Sequence, residues 1–304
     1  MIDYHVHLWP HENVAEVSEL RLERLGRYVE TARTEGVGEI ALTEHLFRFD
    51  AVHHIANAFW RSEPNGELAG QMAAYFDHHA TVDLDRYVES VLEAKEAGLP
   101  VVLGLEVDYY PGRMAAVAGL LDGYPFDVLL GSVHWLGAWG FDILEGPALV
   151  EWDRRAANDV WKAYTEALEE LAASGMCDVL AHPDLVKLVG RYPDPGLLAE
   201  CYDRMAEAAA ANGLAAEISS AGFRKPVAEA YPAPDLLRRF FLRGVPITLA
   251  SDAHGSAGVA ARSADLVALA RTAGYGSLRA FRHRHGVDVS IATEPSAATA
   301  PSVA

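Results

Sequence analysis

The chain has 304 residues, 51% of them hydrophobic, a formal net charge of −18 and a pI near 5.1. This length suits one large α/β domain. The acidity sets long-range repulsion against a nucleic-acid backbone or an anionic membrane surface, while a small phosphorylated molecule stays admissible because bound divalent cations reverse the field locally. Cys177 and Cys201 are the only cysteines and lack Cys-x-x-Cys spacing, so neither a disulfide framework nor a thiolate zinc site is expected, and the expected compartment is the cytoplasm. The opening Met-Ile-Asp-Tyr-His has no basic segment followed by an apolar one, and no run reaches the length of a membrane span. The chain is therefore read as starting at its mature N-terminus, with no membrane partner.

After an N-terminal strand carrying His5-Val6-His7, residues 14–35 place Leu20, Leu25, Tyr28, Val29 and Ala32 at helical spacing up to Gly36, and 39–43 reads as a short buried strand. Residues 46–82, rich in Phe, His and Asn around Pro64-Asn65-Gly66, read as a long loop with a helical piece, of the kind that forms a lid or faces substrate. A helix over 83–97, with Leu84, Tyr87, Val88, Val91 and Leu92 on one stripe, leads through Gly98 to a strand at 100–107. A strand at 127–133 follows, then a long helix over 153–174 with Val160, Trp161, Tyr164, Leu168 and Leu171 facing inward, stopped at Gly175 before a strand at 178–182. Helix 196–211 leads to strand 214–219, and helix 234–243 to strand 245–251. Short buried strands alternating with helices imply parallel pairing through crossovers and a closed or nearly closed barrel. Residues 1–285 form one domain on this reading. The Ala-, Thr-, Ser- and Pro-rich tail 286–304 offers no apolar stripe and is expected to be largely disordered.

On a strand, alternate side chains share a face, so His5 and His7 can reach one ion while Val6 packs behind them. An isolated pair of this kind is as readily two solvated or hydrogen-bonded histidines. The wider pattern decides for metal: of the 13 histidines, those at 5, 7, 11, 45, 134, 182 and 254 fall just after an expected strand or in the adjoining loop, as do Glu106 and Asp252. In a barrel those strand ends converge on one face. A carboxylate directly after Val-Val-Leu-Gly-Leu is costly to bury without cations, which favours Glu106 as a ligand over a merely salt-bridged group. Asp3, Glu44, Asp108 and Asp184 read as groups that orient ligands or lie on the surface. Arg224 and Lys225 follow a strand end and could neutralise a bound phosphate, the alternative being an exposed basic pair in a loop; Arg48, Lys187 and Arg191 are lesser candidates. His53, His54, His78 and His79 read as solvated or capping residues, the first pair able to face substrate.

The ordered strings Asp3-Tyr-His5-Val-His7, Thr43-Glu-His45, Gly104-Leu-Glu106-Val-Asp108-Tyr109, Ser132-Val-His134, Ala181-His182-Pro183 and Ser251-Asp252-Ala-His254 resemble the PHP (polymerase and histidinol phosphatase) family of metal-dependent phosphoesterases, over nearly the whole domain. Glu217-Ile-Ser-Ser-Ala-Gly-Phe-Arg224-Lys225-Pro226 is similar to the Glu-Ile-Asn-Thr-Ser-Gly-Leu-Arg-Lys-Pro stretch of its histidinol-phosphatase branch, departing most at Ser219-Ser220-Ala221. The resemblance implies a distorted seven-stranded (β/α)7 barrel holding three divalent metal ions, with zinc, manganese and iron all admissible. By its ligand pattern His5, His7, Glu106 and Asp252 hold the first ion, Glu106 bridges to a second completed by His134 and His182, and His11, His45 and His254 hold the third. Trp9-Pro10-His11 is a shorter loop than the family usually places before the ligand that His11 would represent. The implied activity is hydrolysis of L-histidinol phosphate to L-histidinol and phosphate, a step of histidine biosynthesis, without an organic cofactor. Asp252 or His254 would assist proton transfer, and Glu217 or residues of 46–82 would meet the substrate's ammonium and imidazole. Another small phosphomonoester, a phosphodiester, or a non-catalytic metal-stabilised module remain open readings. An amidohydrolase is disfavoured, since it expects a bridging lysine where Glu106 stands. No oligomeric state is implied.

Overall fold

The computed structural model describes residues 1–11, 20–56 and 59–291. In chain order its strands are β1 (Ile2–Val6), β2 (Glu39–Leu42), β3 (Val101–Asp108), β4 (Val128–Ser132), β5 (Trp135–Leu136), β6 (Trp139–Gly140), β7 (Val179–Leu180), β8 (Ala215–Ser219), β9 (Ile247–Ala250), β10 (Ser277–Arg282) and β11 (His285–Ser290). The helices are α1 (Leu22–Thr34), α2 (Asp50–Ala56), α3 (Gly66–His79), α4 (Leu84–Glu96), α5 (Met114–Leu121), α6 (Gly146–Arg154), α7 (Ala157–Ala173), α8 (Pro195–Ala211), α9 (Pro234–Leu242) and α10 (Ser263–Ala273). A seven-stranded sheet runs β1-β2-β3-β4-β7-β8-β9 with every pairing parallel. Its two edges meet just beyond β9, where Asp252 N donates to His5 O (2.9 Å) and His7 N to Ala253 O (2.7 Å). The barrel expected from the alternation is thus nearly closed, and the closing bonds lie at the end that carries the histidines.

Alternation along each strand divides the core. Ile40, Leu42, Leu103 and Leu129 pack in the cluster shared with the helices, while Ala41, Val102, Val128 and Leu130 pack with Ile2 and Tyr4 in a second one. Glu106 lies in the same alternation as Val102, so the strand carries it to the end of that second face. β1 breaks its register between Asp3 and Val6. The break lets Tyr4 join the apolar cluster while His5 and His7 enter the polar end. The helices follow their stripes: α7 buries Val160, Trp161, Tyr164, Leu168 and Leu171 as expected, and α8 and α9 each begin with a proline in the first turn.

Three expectations are corrected. Residues 46–82, expected as a long loop with a helical piece, are mainly helical: Asn65 caps α3 by accepting from Glu67 N and Leu68 N, and Leu68, Met72, Phe76 and His79 form its buried face. The helix expected over 153–174 starts later, at Ala157 as α7, because residues 153–154 end the separate helix α6 and the backbone is extended at Arg155-Ala156. Regular structure also continues past residue 285, because β11 runs to Ser290 and pairs antiparallel with β10. That hairpin closes the N-terminal end of the barrel. Leu278, Ala280 and Phe281 join Tyr4 and Val102 in one cluster, and the turn bonds to residues that start three strands: Arg282 to Glu39, His283 N and Arg284 N to Asp127, and Arg284 to Asp178. The first residues of the helix expected over 14–35, and 292–304 of the expected tail, lie outside the described residues. No helix among the described residues is long and apolar enough to cross a membrane.

Candidate metal centre

Glu106, on β3 and without solvent exposure, is the hub of the polar end. Its Oε2 lies 2.6 Å from His45 Nδ1, 3.3 Å from His5 Nε2 and 3.5 Å from His7 Nε2. Its Oε1 lies 3.1 Å from His182 Nε2 and 3.4 Å from His134 Nε2. Asp252 Oδ1 is 3.3 Å from His7 Nε2, the His254 and His45 Nε2 atoms are 3.3 Å apart, and the His11 ring lies 3.8 Å from the His254 ring between centroids. All the residues singled out as ligands are therefore gathered at one end. Two take left-handed backbone, His182 (φ 28°) and Asp252 (φ 52°), a conformation that side chains with a Cβ disfavour and that recurs at functional sites. The bonds His182 N to Glu217 Oε1 (3.3 Å) and Asp252 N to His5 O hold them there.

The donor set fits divalent ions. His45 Nδ1 and Glu106 Oε2 approach to 2.6 Å yet neither makes a hydrogen bond, and His182 Nδ1 is also buried without one. The Nε2 atoms of His5 and His7 point at one another 2.9 Å apart, as lone pairs do around a shared cation. Trios His5–His7–Glu106, His45–Glu106–His134 and His7–His45–His254 each bring their ligand atoms within 4.8 Å of one another. The titration pattern shows the same demand for positive charge. Burial opposes charge on His5, but Glu217, Glu106 and Asp252 outweigh it and raise its pKa; on His134 burial is likewise outweighed, by Glu106 and Asp108, and its pKa rises to about 10. Burial would raise Glu106, yet the imidazoles gathered around it hold it well below the usual carboxylate range. Burial and neighbouring imidazoles push His11 and His45 down, and His254 to about 3, which leaves neutral rings with lone pairs free to ligate.

The family model for the PHP domain matches residues 21–221, well over half of the chain. The chain belongs to the PHP domain family. A protein of Deinococcus radiodurans named "Probable histidinol-phosphatase" is 42% identical over 198 residues, which cover 65% of this chain and 74% of that one. Among solved structures, a histidinol phosphate phosphatase from Lactococcus lactis, complexed with zinc, L-histidinol and phosphate, shares the fold at a TM-score of 0.64 and 20% identity, covering 94% of this chain and 98% of its own. A Listeria monocytogenes protein assigned as a histidinol phosphatase does so at 0.67 and 18%, covering 87% and 99%. These likenesses bear on the fold, a PHP-type (β/α)7 barrel.

Around the PHP cluster a ring of buried carboxylates orients the imidazoles. Glu217 Oε2 takes His5 Nδ1 at 2.8 Å and Asp108 Oδ1 takes His134 Nδ1 at 2.7 Å, while Glu44 lies 3.4 Å from His7 Nδ1. Glu217, fully buried, is thereby engaged by the cluster and does not face a substrate ammonium. Asp3 instead ties Ser251 and Ala260 to β1, and Asp184 pairs with Lys187. Arg48 and Lys187 are buried in ion pairs with Glu44 and Asp184, and Arg191 bonds Trp152 O and Asp153, so none of the three lesser phosphate candidates lines the pocket over the cluster. His79 is buried beside Tyr75 rather than solvated, and burial lowers its pKa to about 4.

Lys225 and Arg224 differ in their use. Arg224 Nη2 donates to Ser251 O (3.0 Å) and Asp252 O (2.9 Å), bracing the left-handed turn, and lines only the outer groove. Lys225 lines both that groove and the inner pocket with His11, His45, His134, His182 and His254. Asp142 lines the same inner pocket and Tyr75 stands beside it, neither of them a candidate from the sequence. A signal existed for Asp142 in the aromatic-glycine alternation Trp135-Leu-Gly-Ala-Trp-Gly140 ahead of it, which forms the hairpin β5–β6.

Proposed function

We propose that this chain is a metal-dependent phosphomonoesterase that converts L-histidinol phosphate and water to L-histidinol and phosphate. The observation that carries the reading is the convergence of six strand ends on Glu106 and Asp252 beside a pocket whose wall includes Lys225. The name borne by the Deinococcus relative supports the same substrate. His5, His7, Glu106 and Asp252 would hold one ion, Glu106, His134 and His182 a second, and His11, His45 and His254 a third; zinc, manganese or iron suits these donors. Such ions supply positive charge for the phosphoryl oxygens and lower the pKa of water at the site.

The chain's own groups do the rest. Lys225 draws the phosphate to the cluster and neutralises part of its charge, while Arg224 keeps the Asp252 turn in place. Asp252 and His254 open to the pocket, with side chains 16% and 17% exposed, and their atoms Oδ1 and Nδ1 lie 3.6 Å apart. They are placed to hold the proton lost by the attacking water and pass it to the departing alcohol oxygen, so that one P–O bond forms as the ester P–O bond breaks. Glu217 and Asp108 keep His5 and His134 aimed throughout.

The test is phosphate release from metal-loaded protein. kcat/KM for L-histidinol phosphate should exceed that for p-nitrophenyl phosphate, chelation should abolish turnover, and added divalent metal should restore it. Equal, slow turnover of every monoester would remove the histidinol assignment. A groove of about 670 Å³ runs outward past His254 along residues 255–258 and favours, as second reading, a longer ester. Activity confined to phosphodiesters would promote it.

A further inference from the structure

The inner pocket has two sides of opposite charge. On one side stands Lys225; on the other stands Asp142, in a recess with His11, His45, Phe47, Tyr75 and Ile143. Neither the Lys225 ammonium nor the Asp142 carboxylate makes an ion pair or hydrogen bond with any described residue, although both line one small pocket. Elsewhere in this molecule buried or half-buried carboxylates find an arginine, a lysine, an imidazole or backbone N–H groups. A carboxylate left over beside a metal cluster is costly unless a ligand brings the compensating charge.

Asp142 is also held still. The preceding carbonyl, Phe141 O, accepts from Trp152 Nε1 (2.8 Å), and the following N–H, Ile143, donates to Gly140 O (3.1 Å). Trp139 Nε1 anchors the hairpin to Ala148 O (2.8 Å), and the Ile143 side chain packs against Gly140, where a Cβ would meet its Cδ1 at 2.6 Å and push it aside. The carboxylate shares the pocket lining with His134 and Tyr231 and the adjoining recess with Tyr75. A fixed, unpaired carboxylate with an aromatic wall suits an organic cation, and the lysine opposite suits its phosphate end.

We propose that Asp142 is a specificity residue that binds a positive charge on the alcohol portion of the substrate, ammonium or imidazolium, and so orients a dipolar phosphomonoester with its phosphate toward Lys225. The inference rests on the histidinol phosphate reading and adds the residue that selects for it. A neutral ester of similar size gains nothing from Asp142 and binds in more than one orientation.

The experiment compares the parent with Asp142→Asn and Asp142→Ala, loaded with the same metal and matched by metal analysis. Substrates are L-histidinol phosphate, its analogue lacking the amine, and p-nitrophenyl phosphate; L-histidinol binding is measured separately by calorimetry. Asp142→Asn should raise KM for L-histidinol phosphate roughly 10- to 100-fold with kcat little changed, as loss of a charge-assisted contact does. KM for p-nitrophenyl phosphate should hold, and L-histidinol affinity should fall in parallel. If the analogue's KM also rises, the imidazolium is the charge recognised; if it holds, the ammonium is. A parent that prefers L-histidinol phosphate and keeps that preference in both variants overturns the role of Asp142 and leaves the substrate reading intact. A parent with no preference over p-nitrophenyl phosphate overturns the substrate reading and the inference with it.

Discussion

The two ends of the barrel use the same strands and place charge in opposite ways. At the N-terminal end Glu39 meets Arg282, Asp127 meets Lys95 and Asp178 meets Arg284, so each carboxylate has a permanently charged partner from the chain. At the C-terminal end Glu106 and Asp252 are paired, among the described residues, only with imidazoles, whose charge depends on protons. One end is complete in itself and serves stability. The other is complete only with cations from outside, and a site short of positive charge is what metal-assisted phosphate chemistry requires.

Substitutions at the two ends should separate these roles. Glu106→Gln removes the one carboxylate that reaches five imidazoles, and phosphatase turnover should fall on the order of a thousandfold or more, read in steady-state kinetics at saturating metal. Phe281→Ala opens a cavity under the opposite end, where the ring is 5% exposed. Denaturant unfolding should show a loss of about 3 kcal/mol, while kcat/KM at 25 °C stays at the parent's value. A large kinetic defect in Phe281→Ala would mean that the ends are coupled.

Glu217→Gln keeps shape but removes the charge behind His5, so metal affinity, measured by competition with a chromophoric chelator, should weaken roughly 10- to 100-fold with unfolding little affected. The smallest effect lies at the hairpin. Burial pushes the Asp127 carboxyl up, but Lys95 and the N–H groups of His283 and Leu103 outweigh it and hold the pKa below its ordinary value. Its stabilising contribution is therefore complete above the unfolded pKa of an aspartate and is lost as pH falls through the folded one. Asp127→Asn should lower Tm at pH 7 by the equivalent of about 1 kcal/mol and flatten the decline between pH 5 and pH 3; an unchanged acid slope would assign that decline to other carboxylates.

The C-terminal end was the more legible of the two in the sequence. Ligand chemistry resides in residue type, and histidines or carboxylates ending apolar runs point to one face once the strands are parallel; this holds even for His11, whose loop is short. The N-terminal plug was illegible because its partners are remote: Phe281 bonds through its N–H to Tyr4 Oη, and Arg284 reaches Asp178. Read locally, Ser-Leu-Arg-Ala-Phe-Arg is a weak alternation leading into a polar tail. Residues 46–82 hold more helix than the one piece expected there for a different reason, since Pro-Asn-Gly reads equally as a turn and as a helix cap. Glu217 stood beside residues of 46–82 as a candidate for the substrate's cationic groups because no local pattern shows that its side chain meets one from β1.

The cluster around Glu106 is short of positive charge that divalent ions would supply. Metal stoichiometry of chelator-stripped protein, titrated with zinc or manganese while L-histidinol phosphate hydrolysis is followed on the same samples, tests it most directly. The expected result is saturable binding of up to three ions per chain, no turnover before they bind, activity rising with occupancy, and weaker binding in Glu106→Gln. Turnover at full rate in metal-free protein, or binding unaltered by Glu106→Gln, would contradict it.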